Sequence, residues 1–190
     1  MISLLFGLGN IGRQYRATWH NLGLEVVESV CKDFRAARQS SRSTYEWAVA
    51  NRNDRKIILA WPKTYMNRSG IAARELLEDF GMQPQQMLIV TDDFNLPLGR
   101  LRFRSGGSDG GHNGLASVIE VLETQELPRL RLGIGPVPEN VDVADWVLSP
   151  FEPQEVETVK KMVAAAVEAA IFALDHRLEE AMTRYNVNPA

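Results

Sequence analysis

The sequence predicts an α/β fold: a single domain with a mixed, twisted sheet flanked by helices and a C-terminal helical segment. Two observations predict it. Strand-like apolar runs alternate with helix-like segments along most of the chain. Four of those runs each feed a short polar cassette rich in glycine and asparagine, the kind of loop that forms ligand crevices at strand ends.

The elements follow in order. Strands are expected near 2–7, 45–51, 56–61, 87–91, 99–104 and 130–134. A first helix starts after Asn21, with Leu22, Val26, Val30 and Phe34 at four-residue spacing on one face. A second begins near Ser69, carries Leu76, Leu77 and Phe80, and stops at Gly81. A third follows Asn113 with Leu115, Val118, Ile119 and Leu122. Pro136 to Asp145 reads as a loop. Residues 153–174 read as a long helix and 175–184 as a shorter one.

Bulk properties bound the function. The 190 residues suit one domain, taken as 1–190. Cys31 is the sole cysteine, so no internal disulfide can form, which fits a reducing cytoplasm. No signal-peptide pattern opens the chain, and Glu168 breaks the longest apolar-rich stretch, Met162 to Leu174, so no membrane span is expected. The net charge is -3, so any RNA contact must use a local basic patch.

The cassettes carry the chemistry, and three readings compete. Gly7-Leu8-Gly9-Asn10-Ile11-Gly12 satisfies the dinucleotide pattern GxGxxG after a strand. The context fails, because Arg13 to His20 lacks the helical stripe that would open at once on a pyrophosphate. No strand ending in Asp or Glu follows at the expected distance either. Gly106-Gly107-Ser108-Asp109-Gly110 satisfies GxSxG, the nucleophile elbow, with Asp142 or Asp145 and His176 following in triad order. Against it, Leu101 and Phe103 alternate with Arg100, Arg102 and Arg104, the pattern of a half-buried strand. Five glycines from Gly106 to Gly114 suit a flexible loop, and His176 lies in a helical-looking segment.

The third reading makes His20 a general base acting on water. Asp92, at the end of its strand, would fix its tautomer and balance the imidazolium. Asn10, Asn67 and Asn113 would fix substrate and stabilise an oxyanion. Taken singly, each of these residues is as readily a turn former or a helix cap. Together, three asparagines, a histidine and an aspartate at four strand ends favour a site.

The same residues resemble the bacterial-type peptidyl-tRNA hydrolase family. The matching stretches are Gly7-Leu8-Gly9-Asn10, Tyr15 with His20-Asn21, Thr64-Tyr65-Met66-Asn67 with Ser69-Gly70, Asp92-Asp93 and Leu96-Pro97. Gly110-Gly111-His112-Asn113-Gly114-Leu115 and Leu130-Arg131-Leu132-Gly133-Ile134-Gly135 complete them. The resemblance implies a cofactor-free, monomeric, cytoplasmic esterase that frees tRNA from peptidyl-tRNA dropped by ribosomes. By resemblance His20 is the base, Asp92 its support, and Asn10 a contact to the peptide backbone. Tyr15, Tyr65, Asn67 and Asn113 would meet the tRNA 3′ end and the peptide. Arg104 and Arg131 would grip the 5′-phosphate beside the acceptor stem. The third helix could also offer its N-terminus to an anion. Four positions depart from the family pattern: Ile11 for proline, Trp19 for arginine, Asn95 for aspartate, and an acidic Asp109 in a loop expected near RNA. Trp19 would weaken a phosphate contact or add a stacking surface.

Overall fold

A computed structural model describes residues 1–40 and 42–186, so Ser41 and the last four residues of the expected 1–190 domain lie outside the described residues. The strands are β1 (Leu4–Gly7), β2 (Arg38–Gln39), β3 (Tyr45–Arg52), β4 (Arg55–Pro62), β5 (Met87–Pro97), β6 (Leu101–Arg104) and β7 (Arg129–Gly135). The helices are α1 (Leu22–Asp33), α2 (Ser69–Phe80), α3 (Asn113–Leu122), α4 (Val143–Leu148), α5 (Val156–Asp175) and α6 (Leu178–Tyr185).

The strands form one seven-stranded sheet in the order β2-β3-β4-β1-β5-β7-β6. The four central strands β4, β1, β5 and β7 are parallel, while β2, β3 and β6 make antiparallel pairs at the two edges. The mixed α/β architecture is therefore as expected. Three details differ. β2 has two exposed residues and carries no apolar alternation to reveal it. β5 runs on to Pro97 through a register shift after Asp93. The loop expected at 136–145 gives way to α4, started by Asp142, whose carboxylate accepts from Ala144 N at 2.8 Å.

Alternation along the strands builds two cores. Leu5, Ile57, Leu59, Leu88, Val90, Leu130 and Leu132 face α1 and α5. Leu4, Phe6, Ile58, Met87 and Ile89 face α2 and α3. Helix α1 presses closely on the centre of the sheet. A Cβ on Gly7 would lie 2.4 Å from Gly23 O, and one on Gly23 would lie 2.1 Å from Val90 O. The glycine run after β1 thus serves helix–sheet contact rather than a pyrophosphate. At the far edge, the Asn186 carboxamide accepts from Phe103 N at 2.7 Å and donates to Phe103 O at 3.1 Å. One amide side chain so mimics a neighbouring strand along β6.

Topology also corrects the placement of the cassettes. Those after β1, β4 and β5 leave parallel strands at one end of the sheet. The fourth leaves β6, which runs antiparallel to β7, so it starts at the opposite end. Only the return of loop 105–111 toward α3 brings His112 and Asn113 to the shared crevice. Arg104 stays behind at the other end.

Candidate active site

His20 sits on a 3-10 turn, Trp19–Asn21, that leads directly into α1. It is 6% exposed, and Asp92 beneath it is 1% exposed. His20 Nδ1 lies 2.9 Å from Asp92 Oδ2 and 3.1 Å from Oδ1. A second imidazole shares the carboxylate: His112 Nε2 is 3.0 Å from Asp92 Oδ1. The two rings lie 4.5 Å apart.

Backbone donors settle the protons. His112 is the N-cap of α3, and its Nδ1 accepts from Gly114 N and Leu115 N, both at 3.1 Å. Nδ1 must therefore be bare, and Nε2 must carry the hydrogen donated to Asp92. Asp92 accepts from both rings, so His20 donates through Nδ1–H. In the neutral imidazole the bare nitrogen is then Nε2, which has no partner among the described residues, the arrangement required of a general base. Burial pushes the Asp92 carboxyl up, but His20 and then His112 outweigh it and hold the pKa well below the usual carboxylate range.

Asn10 is fixed on three sides. Its N–H donates to Asn21 Oδ1 at 2.8 Å, its carbonyl accepts from Asn21 Nδ2 at 3.1 Å, and its Oδ1 accepts from Met66 N at 2.8 Å. With Oδ1 taken by a backbone donor, the amide presents Nδ2 as its remaining hydrogen-bonding group. Tyr65 and Asn67 flank Met66 and are exposed; Tyr15 is half-buried after β1, and Asn113 is exposed at the start of α3.

The ligand atoms of His20, Asp92 and His112 lie within 4.8 Å of one another, the sole such group among the described residues. Both nitrogens of His112 and the Asp92-facing nitrogen of His20 are already committed to hydrogen bonds, so the donor set fits a hydrogen-bonded triad better than a metal cradle.

The basic residues form a strip on the α3 face of β6 and β7. Arg102 stands opposite Arg131, and Arg104 opposite Arg129. Arg104 is exposed, whereas Arg131 is ion-paired to Asp93 and its side chain is only 20% exposed. Arg129 is buried against main-chain carbonyls. Burial and then the field of Arg131 lower its pKa, while Asp109 opposes them.

Several expectations change here. Trp19 is fully buried against Trp146 at 5.3 Å and Phe151 at 4.8 Å, so it offers no stacking surface to RNA. The α3 N-terminus is not open to an anion, because the His112 ring occupies two of its N–H groups. Asp109 acts as a turn former: its Oδ1 accepts from Gly111 N at 2.8 Å and its carbonyl from His112 N at 3.2 Å. Asn95 donates Nδ2 to Gly110 O at 2.9 Å, a bond that a carboxylate could not make. His176 is extended between α5 and α6, not helical, and stacks on Phe172 beside Glu180. Ser108 is exposed and meets no histidine. Sequence reasoning assigned no role to His112, Asn21 or Arg129. A histidine immediately before a helix start is the one signal that could have exposed His112, as an N-cap.

An α/β sheet that buries a two-histidine, one-carboxylate triad at its carboxyl end, beside anchored asparagines, has the make-up of an enzyme. The family model for peptidyl-tRNA hydrolase matches residues 4–190, and the chain belongs to that family. Peptidyl-tRNA hydrolase of Aquifex aeolicus is 41% identical over 185 residues, covering 97% of this chain and 96% of the relative. That of Kosmotoga olearia is 42% identical over 186 residues, covering 96% of each. A crystal structure of a peptidyl-tRNA hydrolase in complex with N-propanol superposes with a TM-score of 0.92 at 28% identity, over 100% of this chain and 97% of that one. The enzyme from Acinetobacter baumannii gives 0.91 at 28% identity, over 98% and 95%. Membership of this family makes the chain a hydrolase. No helix among the described residues is long and apolar enough to cross a membrane.

Proposed function

We propose that this chain hydrolyses the ester joining a peptide's C-terminal carboxyl to the terminal ribose of tRNA, with His20 as general base and no cofactor. The observation that carries the reading is the pairing of His20 Nδ1 with Asp92, itself held by His112, which in the neutral imidazole leaves Nε2 as the nitrogen free to take a proton. A water gives its proton to Nε2 while its oxygen attacks the ester carbon. Asp92, ionised and buried, stabilises the imidazolium that forms. Donors at the rim, Asn10 Nδ2 and Asn113 among them, hold the peptide and the developing oxyanion. The tetrahedral intermediate collapses, the C–O bond to the ribose breaks, and the imidazolium returns its proton to the departing ribose oxygen.

Tyr15, half-exposed after β1, and Tyr65 and Asn67, exposed on either side of the Met66 that binds Asn10, suit the tRNA 3′ end and the peptide. Arg104 and Arg131 suit the 5′-phosphate, with Arg131 using the donors that Asp93 leaves free. In this reading the enzyme acts as a cytoplasmic monomer that returns tRNA to translation.

Hydrolysis of N-acetyl-aminoacyl-tRNA beside unblocked aminoacyl-tRNA tests the reading. The blocked ester is cut and the free one spared. Equal cleavage of both, or of neither, would defeat it.

A further inference from the structure

Arg129 opens β7, and its side chain is among the largest fully buried ones, at 2% residue exposure. A buried guanidinium is ordinarily paired with a carboxylate. Arg129 instead donates to four main-chain carbonyls. Nε reaches Leu127 O at 3.1 Å and Nη1 reaches Ser108 O at 2.7 Å; Nη2 reaches Gly107 O at 3.0 Å and Gln125 O at 3.2 Å. Two of these carbonyls belong to the loop that leaves β6, and two to the segment that enters β7. One side chain thus staples the two crossing segments together. Their contact is close: Gly107 N also donates to Gln125 O at 3.0 Å, and a Cβ on Gly106 would lie 2.6 Å from that oxygen.

The strand register gives the staple a consequence. Arg104 stands directly opposite Arg129, so both side chains leave the sheet on one face, with Cβ atoms about 5 Å apart. Like charges at that spacing repel. Arg129 is turned into the loop, and Arg104 is left exposed.

We propose that Arg129 is a positioning residue for the tRNA 5′-phosphate: by stapling the loop after β6 it sets where Arg104 presents its guanidinium. The proposal rests on the reading that Arg104 grips that phosphate. Loop 105–111 has two further anchors toward the catalytic end, Asn95 on Gly110 and, just beyond the loop, His112 on Asp92. Loss of the Arg129 staple therefore leaves the RNA end on the single Gly107 N–Gln125 O bond while the catalytic end stays held. Binding should suffer, and turnover should not.

The test is steady-state kinetics of the full chain on peptidyl-tRNA with and without its 5′-phosphate. Arg129→Lys keeps a charge but cannot make the four-way contact. It should raise KM about 5–10-fold on phosphorylated substrate, with kcat within about two-fold, because one contact is lost from binding alone. On dephosphorylated substrate, or in an Arg104→Ala background, it should add nothing further to KM. Gly106→Ala, which forces the segments apart by another route, should give the same pattern and carries the test if Arg129→Lys does not fold. A KM unchanged by the variants, or a rise that persists without the phosphate, would overturn the proposal while leaving the hydrolase reading intact. A wild type that leaves peptidyl-tRNA uncut would overturn that reading and this proposal with it. A wild type that cuts it with no preference for the phosphate would remove the phosphate grip alone, and again this proposal with it.

Discussion

The two ends of β7 mark two kinds of site. At one end, His20, Asp92 and His112 are nearly sealed from solvent, and each shared proton is fixed by a partner. At the other, Arg104 is exposed and Arg129, opposite it, is buried in the loop, while Arg131 lies between the two ends, paired to Asp93. The contrast matches what each end does in the proposed function. A general base needs one tautomer and one orientation, which burial and hydrogen bonds supply. A grip on a phosphate needs an accessible charge, and it acts through a field that salt weakens. Changes at the first end should therefore lower kcat, and changes at the second should raise KM.

The largest expected effect is at His20. His20→Ala removes the bare Nε2 and should lower kcat about 10²–10⁴-fold, the usual contribution of a positioned general base. KM should move little. A folded variant, checked by circular dichroism, that keeps near-normal kcat would break the mechanism.

Asp92→Asn comes next. The imidazolium loses its counter-charge, and kcat should fall about 10²-fold, the lower end of the same range. The change also has a stability signature. The Asp92 pKa is depressed in the folded protein, so the carboxylate contributes stability that is fully present above about pH 4, the unfolded value. That contribution is lost as pH falls further, through the folded pKa. Urea titrations should accordingly show the stability gap between wild type and Asp92→Asn narrowing as pH drops below about 4. A gap that widens on acidification would contradict the charge assignment.

At the basic end, Arg104→Ala should raise KM about 10-fold on phosphorylated peptidyl-tRNA, as expected for one charge-assisted contact, and leave kcat alone. Added salt should raise the wild-type KM and shrink the difference. A fall in kcat without a change in KM would merge the two ends into one site.

The sequence exposed the two ends unequally. Asn10 and Asp92 were legible because each closes an apolar run, and such runs mark strand ends in an α/β sheet, and His20 because it lies in the polar stretch between the first run and the first helix. His112 was not, because its role depends on a helix start and on Asp92, twenty residues away, sharing its second oxygen. The antiparallel course of β6 was equally hidden. Alternation gives a strand's faces but not its direction, so nothing local shows that the fourth cassette starts at the opposite end of the sheet. Trp19 beside His20 looked available to RNA, yet it is buried under α4, an element that an acidic, proline-bearing stretch did not announce. Arg129 sat in plain view in Arg129-Leu130-Arg131. Nothing local separates an arginine that bonds carbonyls from one that pairs with Asp93, because their partners come from different loops.

The smallest expected effect falls between the two ends, at Ser108, and it separates two hydrolase chemistries. In a nucleophile-elbow enzyme the serine attacks, an acyl-enzyme forms, and its removal costs several orders of magnitude. In this chain Ser108 is exposed, its carbonyl is held by Arg129 Nη1 at 2.7 Å, and its hydroxyl has no histidine beside it. The histidine that would complete an elbow triad, His176, stacks on Phe172 at 4.0 Å and faces Glu180 instead. The bond that fixes Ser108 uses its main chain, which alanine retains. Ser108→Ala should therefore keep kcat and KM within about two-fold of wild type, as surface changes away from special features usually do. No acyl adduct should appear on the protein by mass spectrometry during turnover. A dead but folded Ser108→Ala chain, or an adduct at Ser108, would move the chemistry out of the buried triad and into the loop.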